Sequence, residues 1–167
     1  TRPIPLVPPT TTATRPSRLK RFFDMTRGQV SMSTMLRDTL YRLPRQPGLQ
    51  LLQRRGDGGA RELTTWRLRL SPGTEQRFSA QAEESVLVVQ NGAASIAVSG
   101  RTFDVSRVDV FEERASAVYA PAGESLTISA KSEFEAILVS TPADRRGQAA
   151  LVSSDDVRIN ARGRGNY

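Results

Sequence analysis

The 167-residue chain contains neither cysteine nor histidine. Without cysteine there can be no disulfide, no thiol nucleophile and no thiolate metal ligand, which fits a reducing compartment and makes a cytoplasmic location the expectation. Without histidine the commonest general base and the commonest metal ligand are both missing. Histidine-dependent triads and imidazole-built zinc sites are therefore excluded. The chain also lacks any run of about 18 consecutive apolar residues, so no segment reads as a membrane-spanning helix. What is present suits one domain with tail to spare, because about 110 to 130 residues can bury a core without staples.

The net charge of +7 is unevenly spread. Residues 1–61 hold 12 Lys/Arg and 3 Asp/Glu, a balance of +9, whereas residues 62–167 hold 12 and 14, a balance of −2. Nucleic-acid binding needs basic residues clustered on a folded face with aromatics to stack on bases. Here the excess lies in a Pro/Thr-rich front segment, and nucleic acid is not an expected partner. Residues 1–35 carry Pro3, Pro5, Pro8, Pro9 and Pro16, the run Thr10 to Thr12 and a single acid, Asp24. Such a segment buries too little apolar surface to offset its ordering entropy, so a disordered basic leader is expected. Its composition also matches an organelle transit peptide. A disordered or non-native leader is the simpler reading, since Met25, Met32 and Met35 each could be a start.

Beyond residue 36 the pattern is that of short strands. Leu49 to Leu52 is a brief apolar run, followed by a glycine-rich turn at Gly56 to Gly59. Trp66, Leu68 and Leu70 alternate with Arg67 and Arg69, the period of a half-buried strand. Val86 to Val89 reads as a buried strand, and Asn91–Gly92 is a strong hairpin signal. Ala94, Ile96 and Val98 alternate on the expected return strand. Ser99 to Arg101 turn the chain into Thr102 to Val105. Val108 to Phe111, Ala117 to Ala120, then Leu126, Ile128 and Ala130, and finally Ala136 to Val139 are further strand candidates. Eight or nine short strands with close turns argue an all-β jelly roll, sandwich or barrel.

The segments PGTEQRFSAQAEESVLVVQNGAASIAVSGRTFDV and VFEERASAVYAPAGESLTISAKSEFEAILVSTPA resemble the first half of the 5-deoxy-glucuronate isomerase family of bacterial myo-inositol catabolism. Phe103, Val110, Phe111, Ala117 to Tyr119, Pro121 and Gly123 fall in that family's register. Asp155 to Val157 and Arg162 to Asn166 resemble its linker. The resemblance implies a cupin-like double-stranded β-helix over 36–145, after the leader 1–35, with 146–167 leading toward a second cupin domain. It implies aldose–ketose isomerisation of a sugar acid, with a divalent metal and the active site in the second half. In that case this chain supplies scaffold and domain interface, and its partners are the second cupin domain or further copies of itself. The alternative is a stand-alone, metal-free cupin that dimerises or binds a small ligand.

The general cupin pattern, G-x5-H-x-H-x3,4-E-x6-G then G-x5-P-x-G-x2-H-x3-N, tests the metal question directly. From Gly73 the histidine positions fall on Ser79 and Gln81. The glutamate falls on Ser85, beside Glu84, and the glycine on Gly92. Pro121 and Gly123 match P-x-G, whereas the last histidine and the asparagine fall on Leu126 and Ala130. The scaffold residues are kept and the ligands are not. No residue of this chain is therefore assigned as catalytic, cofactor-binding or metal-binding. Glu83 and Glu84 read as a strand-edge pair with one facing solvent, rather than as an acid/base couple. Glu112 to Arg114 read as a solvated turn, Tyr119 as packed, Trp66 as core or inter-domain contact, and Arg162 to Gly165 as linker rather than an RNA-binding run.

Overall fold

The computed structural model describes residues 43–57, 59–144 and 147–159, all within the unit Leu40–Tyr167. The expected leader and the Arg162 to Gly165 run lie outside the described residues. Among the described residues nine strands form: β1 Gly48–Gln53, β2 Thr64–Leu70, β3 Glu75–Ser79, β4 Glu83–Val98, β5 Arg101–Arg107, β6 Ala117–Ala120, β7 Ser125–Ala130, β8 Phe134–Pro142 and β9 Ala150–Val152. Every pairing is antiparallel. One sheet has the order β1-β2-β8-β4-β6-β9, and a second has β3-β7-β4-β5. The two sheets share β4 and enclose one core, which is the cupin-like double-stranded β-helix.

The 16-residue β4 decides this architecture. Its first half, from Glu83, pairs with β8 and β6, and its second half, from Gly92, pairs with β5 and β7. Ser85, Leu87 and Val89 point inward in the first half, but Ala94, Ile96 and Val98 do so in the second. The inward series changes parity, which requires an extra residue. The register shift between Val89 and Asn91 supplies it. Asn91–Gly92 is thus a corner within one continuous strand and not a hairpin tip. Gly92 has φ +87°, and a Cβ there would sit 1.8 Å from the Glu133 carbonyl oxygen. An asparagine–glycine pair that tolerates positive φ serves a bulged corner as well as a type I′ turn, which is why the local signal misled. The tight hairpin lies eight residues later, where Ser99 (φ 50°) and Gly100 (φ 72°) join β4 to β5 with both central residues left-handed.

Two strands were not legible as such. β3 has Phe78 as its single large apolar residue, and β9 is three residues long. β9 lies past residue 145, in the stretch expected to be linker, and pairs with β6. The expected strand Val108 to Phe111 is instead a turn. It cannot alternate into the core, and Phe111 stands 94% exposed. The core is built from Leu68, Leu87, Val89, Ile96, Val118, Leu126, Ile128 and Leu138, all 0% exposed. Truncating one of these leucines to alanine would cost about 2 to 5 kcal/mol.

Candidate functional site

In a double-stranded β-helix the natural site is the space between the two sheets, so its lining decides what the domain can do. On the first sheet the inward rows follow from the register. Trp66, Leu138, Leu87 and Val118 form one row, and Leu68, Ala136 and Val89 the next. The second sheet opposes them with Phe78, Ile96, Phe103, Val105, Leu126 and Ile128. Trp66 meets Phe78 edge to face, with ring centroids 4.9 Å apart and planes at 72°, bridging the two sheets. The middle of the barrel is hydrocarbon.

Polarity appears at one end. The row beyond Trp66 reads Thr64, Ser140, Ser85 and Ala120. Its three hydroxyl residues are buried, Ser140 at 1% exposure. Glu83 lies one pleat further out. Its carboxylate accepts from the Ser140 hydroxyl and pairs with the Arg55 guanidinium at 2.7 Å. The Arg55 backbone N–H donates to Thr64 Oγ1 at 3.1 Å. These contacts pin the exit of β1 across the barrel end. The Arg55–Glu83 pair is partly solvated, 40% and 21% exposed, so it adds no more than about 1 kcal/mol. Its effect is to occupy the one inward carboxylate of this end.

The positions aligned with metal ligands are now placed. Ser85 and Leu126 face inward and are buried, as is Ala130. Ser79 and Gln81 are exposed, and the Gln81 N–H donates to Ser79 Oγ at 3.3 Å. Glu84 points out of the barrel, away from Glu83. A divalent metal needs about three or four imidazole, thiolate or carboxylate ligands converging on one point. Hydroxyls, hydrocarbon and one carboxylate already held by arginine do not fit such an ion. Among the described residues no three Asp or Glu side chains come together.

Glu84, Glu113, Arg114 and Tyr119, also singled out in the sequence, have structural partners. Glu84 and Glu83 begin a central strand, not an edge. Glu84 accepts from the Tyr119 hydroxyl at 2.8 Å on the outer face of the first sheet. Burial, and then that carboxylate, push the Tyr119 phenol above its ordinary pKa. Glu113 belongs to the β5–β6 turn, where its carboxylate accepts from the Val108 N–H at 2.7 Å. Arg114 donates to the Val157 carbonyl at 2.8 Å and lies 3.7 Å from Asp155, tying the turn to the segment after β9. Sequence reasoning missed Arg55, Thr64 and Ser140. Ser140 was visible in principle, since it continues the inward series Phe134, Ala136, Leu138 with a hydroxyl. It missed Arg107 as well, an inward arginine that follows Phe103 and Val105 on β5.

The fold and this site define a class: a cupin-type β domain whose described interior is lined by hydrocarbon and hydroxyls. Residues 50–167 match the KduI/IolB family, and the chain belongs to it. Among solved structures it is similar to an IolB-like protein of Salmonella typhimurium LT2, with 23% identity and a TM-score of 0.65 over 72% of this chain and 47% of that one. A putative glyoxylate-induced protein of Pseudomonas aeruginosa is similar at 13% identity and a TM-score of 0.54, over 66% of this chain and 42% of that one. This chain thus spans about half the length of either protein. Comparison with curated protein sequences gives no match.

Proposed function

We propose that this chain is the non-catalytic N-terminal cupin of a 5-deoxy-glucuronate isomerase, the half that supplies scaffold and interface to a metal-bearing second cupin. The observation that carries this reading is the division between kept and lost residues. Gly92, Pro121 and Gly123 hold the corner and turn that shape the barrel. The ligand positions Ser79, Gln81, Ser85, Leu126 and Ala130 hold nothing that binds a divalent ion. Moving protons between adjacent sugar carbons needs an acid and a base within reach of both. Among the described residues the barrel offers only Glu83, and Arg55 and Ser140 already engage it.

The test is an isomerase assay with 5-deoxy-glucuronate on the purified chain, alone and mixed with a separately expressed second cupin of a family isomerase. No turnover alone, with stimulation of the second cupin on mixing, supports the reading. Turnover by the chain alone contradicts it. A folded chain that leaves the second cupin unaffected favours a stand-alone, metal-free module instead.

A further inference from the structure

Among the described residues eight large apolar side chains stand exposed, and five of them fall in two segments. Val108, Val110 and Phe111 belong to the β5–β6 turn, and Val152 and Ile159 lie at and after the end of β9. Phe111 is 94% exposed and Ile159 80%. The fold holds the two segments together. Val152 pairs with Ala117, the Ser154 N–H donates to Ser116 Oγ at 3.2 Å, and Arg114 donates to the Val157 carbonyl at 2.8 Å. Exposed apolar surface gathered at one place marks an interaction site.

The turn is braced on several sides. A loose loop could fold its phenylalanine back onto the surface, and here hydrogen bonds oppose that. Asn91 Nδ2 donates to the Val108 carbonyl at 2.6 Å, and the Val108 N–H donates to the Glu113 carboxylate. The Phe111 N–H donates to the Asp109 carboxylate at 2.6 Å, and Arg107 donates to the Val110 carbonyl. Phe111 is thus presented to solvent on a preformed backbone, which lowers the ordering cost of binding. Large aromatic side chains are the usual anchors of an interface.

Size and chain path together select the partner. Counting about 200 Å² for an exposed phenylalanine and about 100 Å² for an exposed valine or isoleucine, the five present on the order of 400 Å². That falls short of the roughly 800 Å² per partner of a stable free complex. It suits one side of a contact between domains of one chain, about 600 to 1,500 Å² over both sides. The short 3-10 helix Ser154–Asp156 is held beside the β5–β6 turn by Ser116 and Arg114, so the chain leaves the β domain at this end. A domain that follows in the same chain is delivered next to Phe111, at the effective concentration of about millimolar that a short linker gives. A free copy has no such advantage. Ser85 lies at the other end of the β4–β6 pairing from Val88 and Ala117, so a contact here leaves the polar mouth uncovered.

We propose that the β5–β6 turn, with Phe111 as anchor and Val108, Val110, Val152 and Ile159 around it, is the surface on which the second cupin domain docks. This rests on the isomerase reading above and adds to it the face and the residue that make the contact.

The test is a titration of the isotope-labelled full chain with the separately expressed second cupin of a family isomerase, carried to about millimolar and followed by nuclear magnetic resonance. The amide signals of Val108, Val110, Phe111 and Ile159 should shift together and saturate, while those of Ser85 and Ser140 stay in place. Phe111→Ser removes an exposed ring outside the core and should weaken binding about 10-fold or more. The shift map uses the unaltered chain, so it decides the matter even if that variant does not fold. Binding with shifts confined to another face, or with equal affinity for Phe111→Ser, would overturn this surface and leave the isomerase reading standing. A wild-type chain that neither shifts nor stimulates the second cupin would remove that reading and this surface with it.

Discussion

At the scale of single residues, Arg107 holds more of the structure than any other charged side chain described. It is 9% exposed, and its guanidinium donates to the carbonyls of Val89 at 3.0 Å, Val110 at 3.0 Å and Glu113 at 2.7 Å. It therefore fixes the β5–β6 turn against the corner of β4, and keeps Val108 and Phe111 exposed without leaving their backbone loose. Arg107→Ala strips three carbonyls of a charged donor, and should lower stability by about 2 to 4 kcal/mol in chemical denaturation. A loss below about 0.5 kcal/mol, the range of ordinary surface changes, would show that the turn does not depend on it. Tyr119 makes a second prediction. Its raised pKa means that the folded state holds the phenolic proton more tightly than the unfolded chain. The stabilisation is complete below the unfolded value of about 10 and is lost as pH rises through the folded one. Phenolate absorbance should show a late-titrating tyrosine that is missing from Tyr119→Phe. Superimposable titration curves, after allowing for one fewer tyrosine, would refute this.

Among the elements, β4 sets the fold, and Gly92 sets β4. Two glycines separate space from strain. At Gly100 the φ is positive but nothing lies within 4 Å of an added Cβ, whereas at Gly92 the Glu133 carbonyl blocks it. Gly100→Ala should cost about 1 kcal/mol, and Gly92→Ala more than about 3 kcal/mol. Equal losses in thermal unfolding would remove the case for a steric corner. Most strands were legible from alternation: Trp66 to Leu70, Ala94 to Val98 and Leu126 to Ala130 each write an inward series into the sequence. β3 was not, because its neighbour β7 and the sheet opposite supply the apolar partners that its own residues lack. β9 was not, because three residues carry no period. Val108 to Phe111 misled in the opposite direction, since an apolar run bent by the Arg107 hydrogen bonds has the composition of a strand without its backbone.

For the whole molecule, the sequence reveals the loss of ligands more readily than it reveals what replaced them. The absence of histidine and cysteine, with Ser79, Gln81 and Leu126 at the ligand positions, could be read directly. That a hydrocarbon core fills the space, and that Arg55, Thr64, Glu83 and Ser140 close one end, depends on strands far apart in the chain and has no local signature. Arg55 and Glu83 are 28 residues apart and Ser140 is 57 from Glu83, so nothing in either segment announces the cluster. Among the described residues this KduI/IolB domain has a hydrocarbon-filled barrel and no cluster of Asp and Glu that could hold a metal ion. The measurement that tests it most directly is metal content after equilibrium dialysis of the purified full chain against zinc, manganese and ferrous iron in turn. No retained metal above the level of the buffer is expected, whereas stoichiometric retention of any one of the three would contradict a barrel without metal ligands.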